Sequence, residues 1–423
     1  MKILWLCSLV LPDFAGEFGI KRNPISGWIT GLMHGLEADK ELQIALCFPI
    51  YDEERMKDGV YNAHPYYSYK TKPGFCSVNY AEAVERFKNI LRHFEPDIVH
   101  IWGTEFIHSA AMLEACETMA LADRVIVDIQ GLTSVCAMHF NNGVPDKYRT
   151  LKSGEFITIE ERRQVFIESG RVEEQLLKKA RYAFVRTDWD RACVARLNPD
   201  IRFFECYRIL RDSFYKSSGL WNVSACRRYS IFVSQAYYSV KGFHYLLQAM
   251  PDILQVFPEA HIYVAGLYPV PQTEEEAIKG TSPYGVFIND LVSDMNLHNK
   301  ITYLGPLCEE EMVEQFLASH VFVSASVIEN SSNSVCEAAL LGVPVVSSYV
   351  GGLANLLTDK ESVLFYQTDA PYMLAYYICS IFGDDSLAVR LSANASAHIA
   401  EIMDSKAISQ QVADAYEVVG RGR

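Results

Sequence analysis

The chain has 423 residues, 50% of them hydrophobic and 21% charged, with a formal net charge of -14. That length exceeds one ordinary hydrophobic core and predicts two domains of a globular protein. The acidic balance weighs against a nucleic-acid partner, because such binding relies on clustered Lys and Arg to neutralise phosphates. The eleven cysteines stand singly with no Cys-x-x-Cys pair. They predict reduced thiols in a cytoplasmic protein, and neither a disulfide frame nor a zinc site.

The first eleven residues carry one positive charge and an apolar run, as a signal peptide does. Pro12, Asp13 and Glu17 follow at once with no small-x-small cleavage site, so a buried first strand is the preferred reading. No later apolar run approaches the length of a transmembrane helix. Strands are expected at residues 3–9, 44–47, 98–101, 125–129 and 182–185. Helices are expected between them, at 27–36, 80–93, 110–118 and 160–180. Such alternation predicts an α/β chain with parallel sheets covered by helices on both faces. The pattern breaks at 214–228, where Tyr215-Lys216-Ser217-Ser218-Gly219 reads as a linker. It restarts with strands at 231–233, 260–265, 301–304, 321–324 and 343–346, and a helix at 407–419 closes the chain. The expected division is a domain over 1–215, a linker over 216–228, a second domain over 229–403 and a terminal helix over 404–423.

The richest segment is Glu329-Asn330-Ser331-Ser332-Asn333-Ser334-Val335-Cys336-Glu337, two glutamates with seven residues between them. A strand precedes it and a helix follows, and this arrangement suits a phosphorylated ligand at the carboxyl end of a parallel strand. Paired carboxylates beside an anion site fit a ligand carrying both hydroxyls and phosphates, such as a sugar nucleotide. Asn333 or Ser334 would cap the helix, which explains Glu337 as an early-turn acid but leaves Glu329 unexplained. Lys241, in the loop Ser234–Phe243, precedes a helix start. There a lysine opposes the helix dipole by up to about 1 kcal/mol unless an anion is bound. The loop Pro24-Ile25-Ser26-Gly27 also leads into a helix, where an ordinary turn plus cap competes with ligand binding.

Three further groups stand out. Glu105 and His108 share a strand end, and Asp128-Ile129-Gln130-Gly131 ends the next strand on the same rim. A lone histidine is more often structural than catalytic. Asp188-Trp189-Asp190 imitates a metal-binding pair, but Thr187 and Asp190 read better as a helix cap. The basic stretch from Lys147 to Arg181 reads first as a solvated helix face with interleaved glutamates, and second as a peripheral contact with the inner membrane face.

Together these residues resemble the retaining GT-B glycosyltransferases of family four, also called glycosyltransferase group one. The likeness runs over nearly the whole chain. It is strongest through Lys241-Gly242, Tyr263-Val264-Ala265-Gly266, Leu304-Gly305-Pro306, Glu329/Glu337 and Val350-Gly351-Gly352. The stretches Gly103–His108, Gln130-Gly131 and Arg186–Arg191 look like a branch found in bacterial surface-polysaccharide clusters.

The resemblance implies two Rossmann-like domains facing a central cleft, with the acceptor on the first, the donor on the second and the terminal helix packing back toward the first. Glu337 would bind the donor ribose and Glu329 the donor sugar. Ser332, Asn333 and Ser334 would hold diphosphate and ribose, Lys241 would neutralise the diphosphate, and Gly27 would let the first loop close. No metal is expected. Gln235 stands where many members carry an arginine, and Gln130 where many carry a catalytic-site histidine, so His108 or His139 would have to compensate.

The implied reaction moves a sugar from a nucleoside-diphosphate sugar to a hydroxyl of a glycan or lipid-linked acceptor, with retention. The candidate catalytic set is Glu329, Lys241, His108 and Gln130. The alternatives are another reaction on the same fold, such as epimerisation or phosphorolysis, and a sugar-nucleotide-binding protein without transferase activity.

Overall fold

A computed structural model describes residues 1–20, 27–37, 39–72, 78–269 and 280–421. The chain forms two compact units. One comprises Met1–Val135, Val165–Leu210 and Met403–Arg423, and the other Cys136–Gln164 and Arg211–Ile402. The chain therefore passes between units more than once, and the segment 136–164 belongs with the second half.

The first unit is built on an eight-stranded sheet. Its strands are β1 (Lys2–Leu6), β2 (Gln43–Ile50), β3 (Gly59–Tyr61), β4 (His64–Lys70), β5 (Ile98–Trp102), β6 (Val125–Asp128), β7 (Tyr182–Val185) and β8 (Arg202–Glu205). They run in the order β3-β4-β2-β1-β5-β6-β7-β8. Among the described pairings of this sheet only β3–β4 is antiparallel. The second unit holds β9 (Arg227–Val233), β10 (His261–Ala265), β11 (Ile301–Gly305), β12 (Ser319–Ser324), β13 (Val345–Ser348) and β14 (Leu364–Tyr366). Their order is β11-β10-β9-β12-β13-β14, with every described pairing parallel.

Helices cover both faces of a parallel sheet, so its strands are apolar almost without interruption. Ile3, Leu4, Trp5 and Leu6 are all fully buried. The helix Tyr80–Phe94 shows the matching pattern, burying Ala83, Val84, Phe87, Ile90, Leu91 and Phe94 on one stripe. That stripe packs on Leu4, Leu6 and Val99 of the sheet. In both sheets the chain order reverses direction at one place, between β1 and β5 and between β9 and β12. Open α/β sheets bind ligands outside the carboxyl ends of their strands at such switch points.

The expected strands and helices of both halves are present, with ends shifted by a few residues. The helix expected from 110 begins at Ile107, and that expected at 407–419 spans Ser405–Gly420. β3, β4, β8 and β14 were not foreseen. β4 is His64-Pro65-Tyr66-Tyr67-Ser68-Tyr69-Lys70, whose buried residues are tyrosines and a serine rather than aliphatic side chains. β8 is short and half exposed. The expected linker begins inside the short helix Asp212–Lys216. Among the described residues, no helix is long and apolar enough to cross a membrane.

The terminal helix Ser405–Gly420 packs on the helix Gly27–Leu36 of the first unit. Tyr416 is its buried anchor. The Trp5 indole N–H donates to the Tyr416 hydroxyl at 3.0 Å, and that hydroxyl lies 2.7 Å from Nδ1 of His100. Tyr416→Phe would leave the buried Trp5 N–H without its acceptor. The expected loss is about 1–3 kcal/mol of stability, read from chemical denaturation.

Candidate functional site

The carboxyl end of β9 leads into residues 234–242, and a glycine decides where this loop goes. Gly242 has φ +64°, and a Cβ there would lie 1.8 Å from the carbonyl oxygen of Ala325. Only glycine tolerates that approach together with that backbone conformation. The loop is thereby pressed against the segment leaving β12, where the Val327 N–H donates to the Val240 carbonyl at 2.9 Å. Lys241 then reaches Glu329, with Nζ 2.7 Å from Oε1. The same oxygen accepts the Ser326 hydroxyl at 2.8 Å.

A second glycine closes the other side. Gly351 has φ +53°, and a Cβ there would meet the Glu329 carbonyl oxygen at 1.7 Å. The Gly352 N–H donates to that carbonyl at 3.1 Å. Burial disfavours the Lys241 ammonium, but the Glu329 carboxylate and Tyr238 outweigh it and hold its pKa above the ordinary value.

The helix Asn333–Leu341 follows. Its cap is Ser332, whose hydroxyl accepts from the Val335 N–H at 3.4 Å, so neither Asn333 nor Ser334 takes the cap. They are the first two residues of the helix itself. No acid stands in the first turn. The positive end of this helix is thus uncompensated, as an anion site requires. Glu337 sits deeper, on a buried face, and Arg211 donates to its Oε1 from Nε at 2.9 Å and Nη2 at 2.8 Å. Burial pushes the Glu337 carboxyl up, and Arg211 pulls it back. Sequence reading does not single out Arg211, which lies in the expected first domain just before the break at 214–228.

Beside the Lys241 loop lies a largely apolar cavity of about 310 Å³. Tyr237 and Tyr238 after β9, Leu267 and Tyr268 after β10 and Pro306 after β11 form part of its wall. Phe156, Ile157 and Arg162 come from the 136–164 segment. Arg162 donates to the Tyr237 hydroxyl at 3.0 Å. Gln235 is half-buried in the β9 loop beside Gly266. His139 lines a different basin of this unit, with Tyr349 and Asp369.

In the first unit Gly27 heads the helix Gly27–Leu36; Pro24, Ile25 and Ser26 lie outside the described residues. Asp128 pairs with Arg208 at 2.7 Å, both buried. The Arg208 guanidinium lies 3.4 Å from the centre of the Trp28 ring. Gln130 is half-buried, and its carbonyl accepts from Arg186 at 3.0 Å. His108 is 5% exposed and stacks on Phe106 at 5.0 Å. Burial lowers its pKa to about 3. His108 lines a separate cavity, one that Gln130 does not touch. Asp190 is buried in a helix cap, with its N–H donating to the Thr187 hydroxyl at 3.3 Å. In the basic stretch, Arg149, Lys152, Arg163, Lys179 and Arg181 each pair with a carboxylate.

Residues 227–384 match the family described as glycosyl transferases group 1. An uncharacterized glycosyltransferase of Methanocaldococcus jannaschii is 24% identical over 188 residues, 44% of each chain. The chain spans under half the length of the curated relatives it matches. Among solved structures, sucrose-phosphate synthase from Thermosynechococcus elongatus aligns over 100% of both chains, with TM-score 0.72 and 16% identity. Anabaena HepE in complex with UDP-glucose aligns over 99% of this chain and 100% of its own, with TM-score 0.68 and 16% identity. The fold is therefore GT-B, two Rossmann-like units over the whole chain.

Two buried acids in the first unit had no sequence signal beyond Glu105 itself. Glu173 accepts from the Thr104 hydroxyl at 2.5 Å and from the Thr133 N–H and hydroxyl at 2.8 Å. Burial raises Glu173 to about 7, and burial with the Glu173 charge raises Glu105 to about 8. An unfolded glutamate titrates near ~4.3. The folded chain therefore binds more protons above that pH, and stability falls as pH rises through the window up to about 8. Glu105→Gln with Glu173→Gln should flatten the fall of thermal midpoint between about pH 5 and pH 8, in a series of melts at each pH.

Proposed function

We propose that this chain is a retaining, metal-independent glycosyltransferase. It takes a sugar from a nucleoside-diphosphate sugar and passes it to a hydroxyl of a glycan or lipid-linked acceptor, in surface-polysaccharide synthesis. The observation that carries this reading is the Lys241–Glu329 pair, held 2.7 Å apart beside a helix start that has no acid in its first turn. The family match over the same segment supports it, as does likeness to a protein solved with UDP-glucose.

In this reading the diphosphate lies on the amides and side chains of Ser332, Asn333 and Ser334, and Lys241 supplies the positive charge. The base enters the cavity behind Tyr237 and Tyr238. Arg211 occupies one oxygen of Glu337, and the ribose hydroxyls take the other. Gln235 lies beside the diphosphate without adding charge, and Gly27 begins the helix that the first loop feeds.

Bond breaking at the sugar carbon leaves positive charge on the ring and negative charge on the departing diphosphate. Glu329 orients the sugar; Lys241 and the helix start stabilise the departing charge. The departing phosphate takes the acceptor's proton on the same face, which gives retention. His108 and Gln130 belong to the acceptor side.

The test is turnover of a nucleotide-sugar panel against an acceptor pool. Lys241→Met should lower turnover by about a hundred- to a thousand-fold, as loss of one preorganised charge does. Glu337→Gln should raise the donor KM more than it lowers kcat. Parent-like turnover in both variants would remove this assignment. Donor consumption without acceptor would favour epimerisation, and tight binding without turnover a non-catalytic binder.

A further inference from the structure

The carboxyl ends of the second sheet's strands form a row. The apolar cavity takes its wall from the loops after β11, β10 and β9, and the Lys241–Glu329 pair follows, after β9 and β12. Next along the row, at β13 and β14, is an open basin of about 530 Å³. Val327, two residues before Glu329, is part of its wall. His139 and Asn142 add another part, from the 136–164 segment that belongs to this same unit. The basin thus continues the line of the nucleotide-sugar site on the side away from the apolar cavity.

Its wall suits hydroxyls and repels anions. Asp359 and Asp369 line it together with Gln367 and Thr368, and no lysine or arginine does. Asp359 Oδ1 accepts the Phe365 N–H at 2.9 Å, and Asp369 Oδ1 accepts the Gln367 amide at 2.7 Å. These contacts fix both carboxylates and leave the second oxygen of each for a ligand. Among the described residues, no three His, Cys, Asp or Glu side chains are grouped as a metal ion requires. The two acids therefore read as acceptors for ligand hydroxyls, with side-chain amides as donors beside them.

Tyr349 adds an aromatic surface. Its N–H donates to the Tyr366 carbonyl at 2.8 Å, and its ring meets Phe365 edge-on at 5.3 Å and 88°. Held in this way, Tyr349 is still 62% exposed. A fixed, exposed ring packs well against the C–H face of a pyranose. Tyr366 also belongs to the wall; it is 2% exposed, and its hydroxyl has no hydrogen-bond partner. A buried polar atom left so costs stability, which a ligand hydroxyl would restore.

We propose that this basin holds neutral sugar residues of an oligosaccharide acceptor, beyond the residue that receives the transferred sugar. One pyranose lies on Tyr349, and hydroxyls along the oligosaccharide meet Asp359, Asp369 and Asn142. The two carboxylates turn acidic oligosaccharides away. The word acceptor rests on the glycosyl-transfer reading, whereas the binding of a neutral glycan does not.

The experiment is ligand-observed NMR titration of the full chain with maltotetraose, cellotetraose, mannotetraose and tetragalacturonate. At least one neutral tetrasaccharide should bind, and tetragalacturonate should not. Tyr349→Ala should weaken the neutral sugar by about ten-fold, the size of one aromatic contact, and Tyr349→Phe should restore it. Asp359→Asn with Asp369→Asn should weaken the neutral sugar and admit tetragalacturonate. The thermal midpoint of each ligand-free variant should stay near the parent value, since Tyr349, Asp359 and Asp369 are exposed. No binding of any neutral tetrasaccharide, tighter binding of tetragalacturonate by the parent, or parent-like binding in Tyr349→Ala would overturn the proposal. Tyr349-dependent binding without transfer to any acceptor would leave this site standing and remove the transferase reading. Transfer to a glycan whose binding ignores Tyr349 would remove this site alone.

Discussion

The ion pair between Lys241 and Glu329 is the contact on which the second unit's site depends. It exists because two glycines allow backbone to touch backbone on either side of it. Gly242 lies against Ala325, and Gly351 against Glu329 itself. Neither position accepts a Cβ, and both have positive φ. The loops after β9, β12 and β13 are thus locked together around one carboxylate. A strand end alone would only place Lys241 near the switch point; the glycine contacts fix which atom it meets.

That pair is poised rather than final. A lysine bound to a carboxylate has little charge left to offer, yet it lies next to a helix start whose positive end is unmatched. In the proposed reading, a diphosphate bound there would compete with Glu329 for Lys241 and free the carboxylate for hydroxyls. Glu337 behaves differently. It is buried and held by two bonds from Arg211, so its first role is to be a satisfied buried acid. Removing Arg211 alone would leave an unpaired buried charge, a change worth about 3–5 kcal/mol. The two glutamates of one motif therefore stand in different electrostatic settings, one exchangeable and one anchored.

Much of this was legible in the sequence. Parallel strands buried on both faces are apolar runs, so β1, β2, β5, β6, β7 and the β9–β13 series stand out in order. β4 was hidden because its buried residues are Tyr66, Tyr67, Ser68 and Tyr69, which read as polar or mixed. Lys241 was visible because a cation at a helix start is out of place without an anion, and Glu329 because capping does not explain it; Glu337 drew notice through its spacing from Glu329. Their partners were not. Arg211 lies 126 positions from Glu337, and no local pattern announces such a contact. Thr104 and Thr133 around Glu173 were hidden for the same reason. The cap was misplaced by one or two residues because Ser332, Asn333 and Ser334 all cap well, and spacing does not choose among them.

The chain's acidity sharpens the picture. With a net charge of -14, anionic ligands are admitted only where cations and helix starts are gathered locally. In the proposed reading Lys241 marks one such place, whereas most cations of the 147–181 stretch are paired with acids. The most direct measurement is calorimetric binding of a nucleoside diphosphate against its parent nucleoside, in the native protein and in Lys241→Met. The account predicts that the native protein prefers the diphosphate by about ten-fold or more, as a charge-assisted contact gives. Lys241→Met should lose most of that preference while holding the nucleoside as before. An unchanged preference in the variant would contradict the central claim.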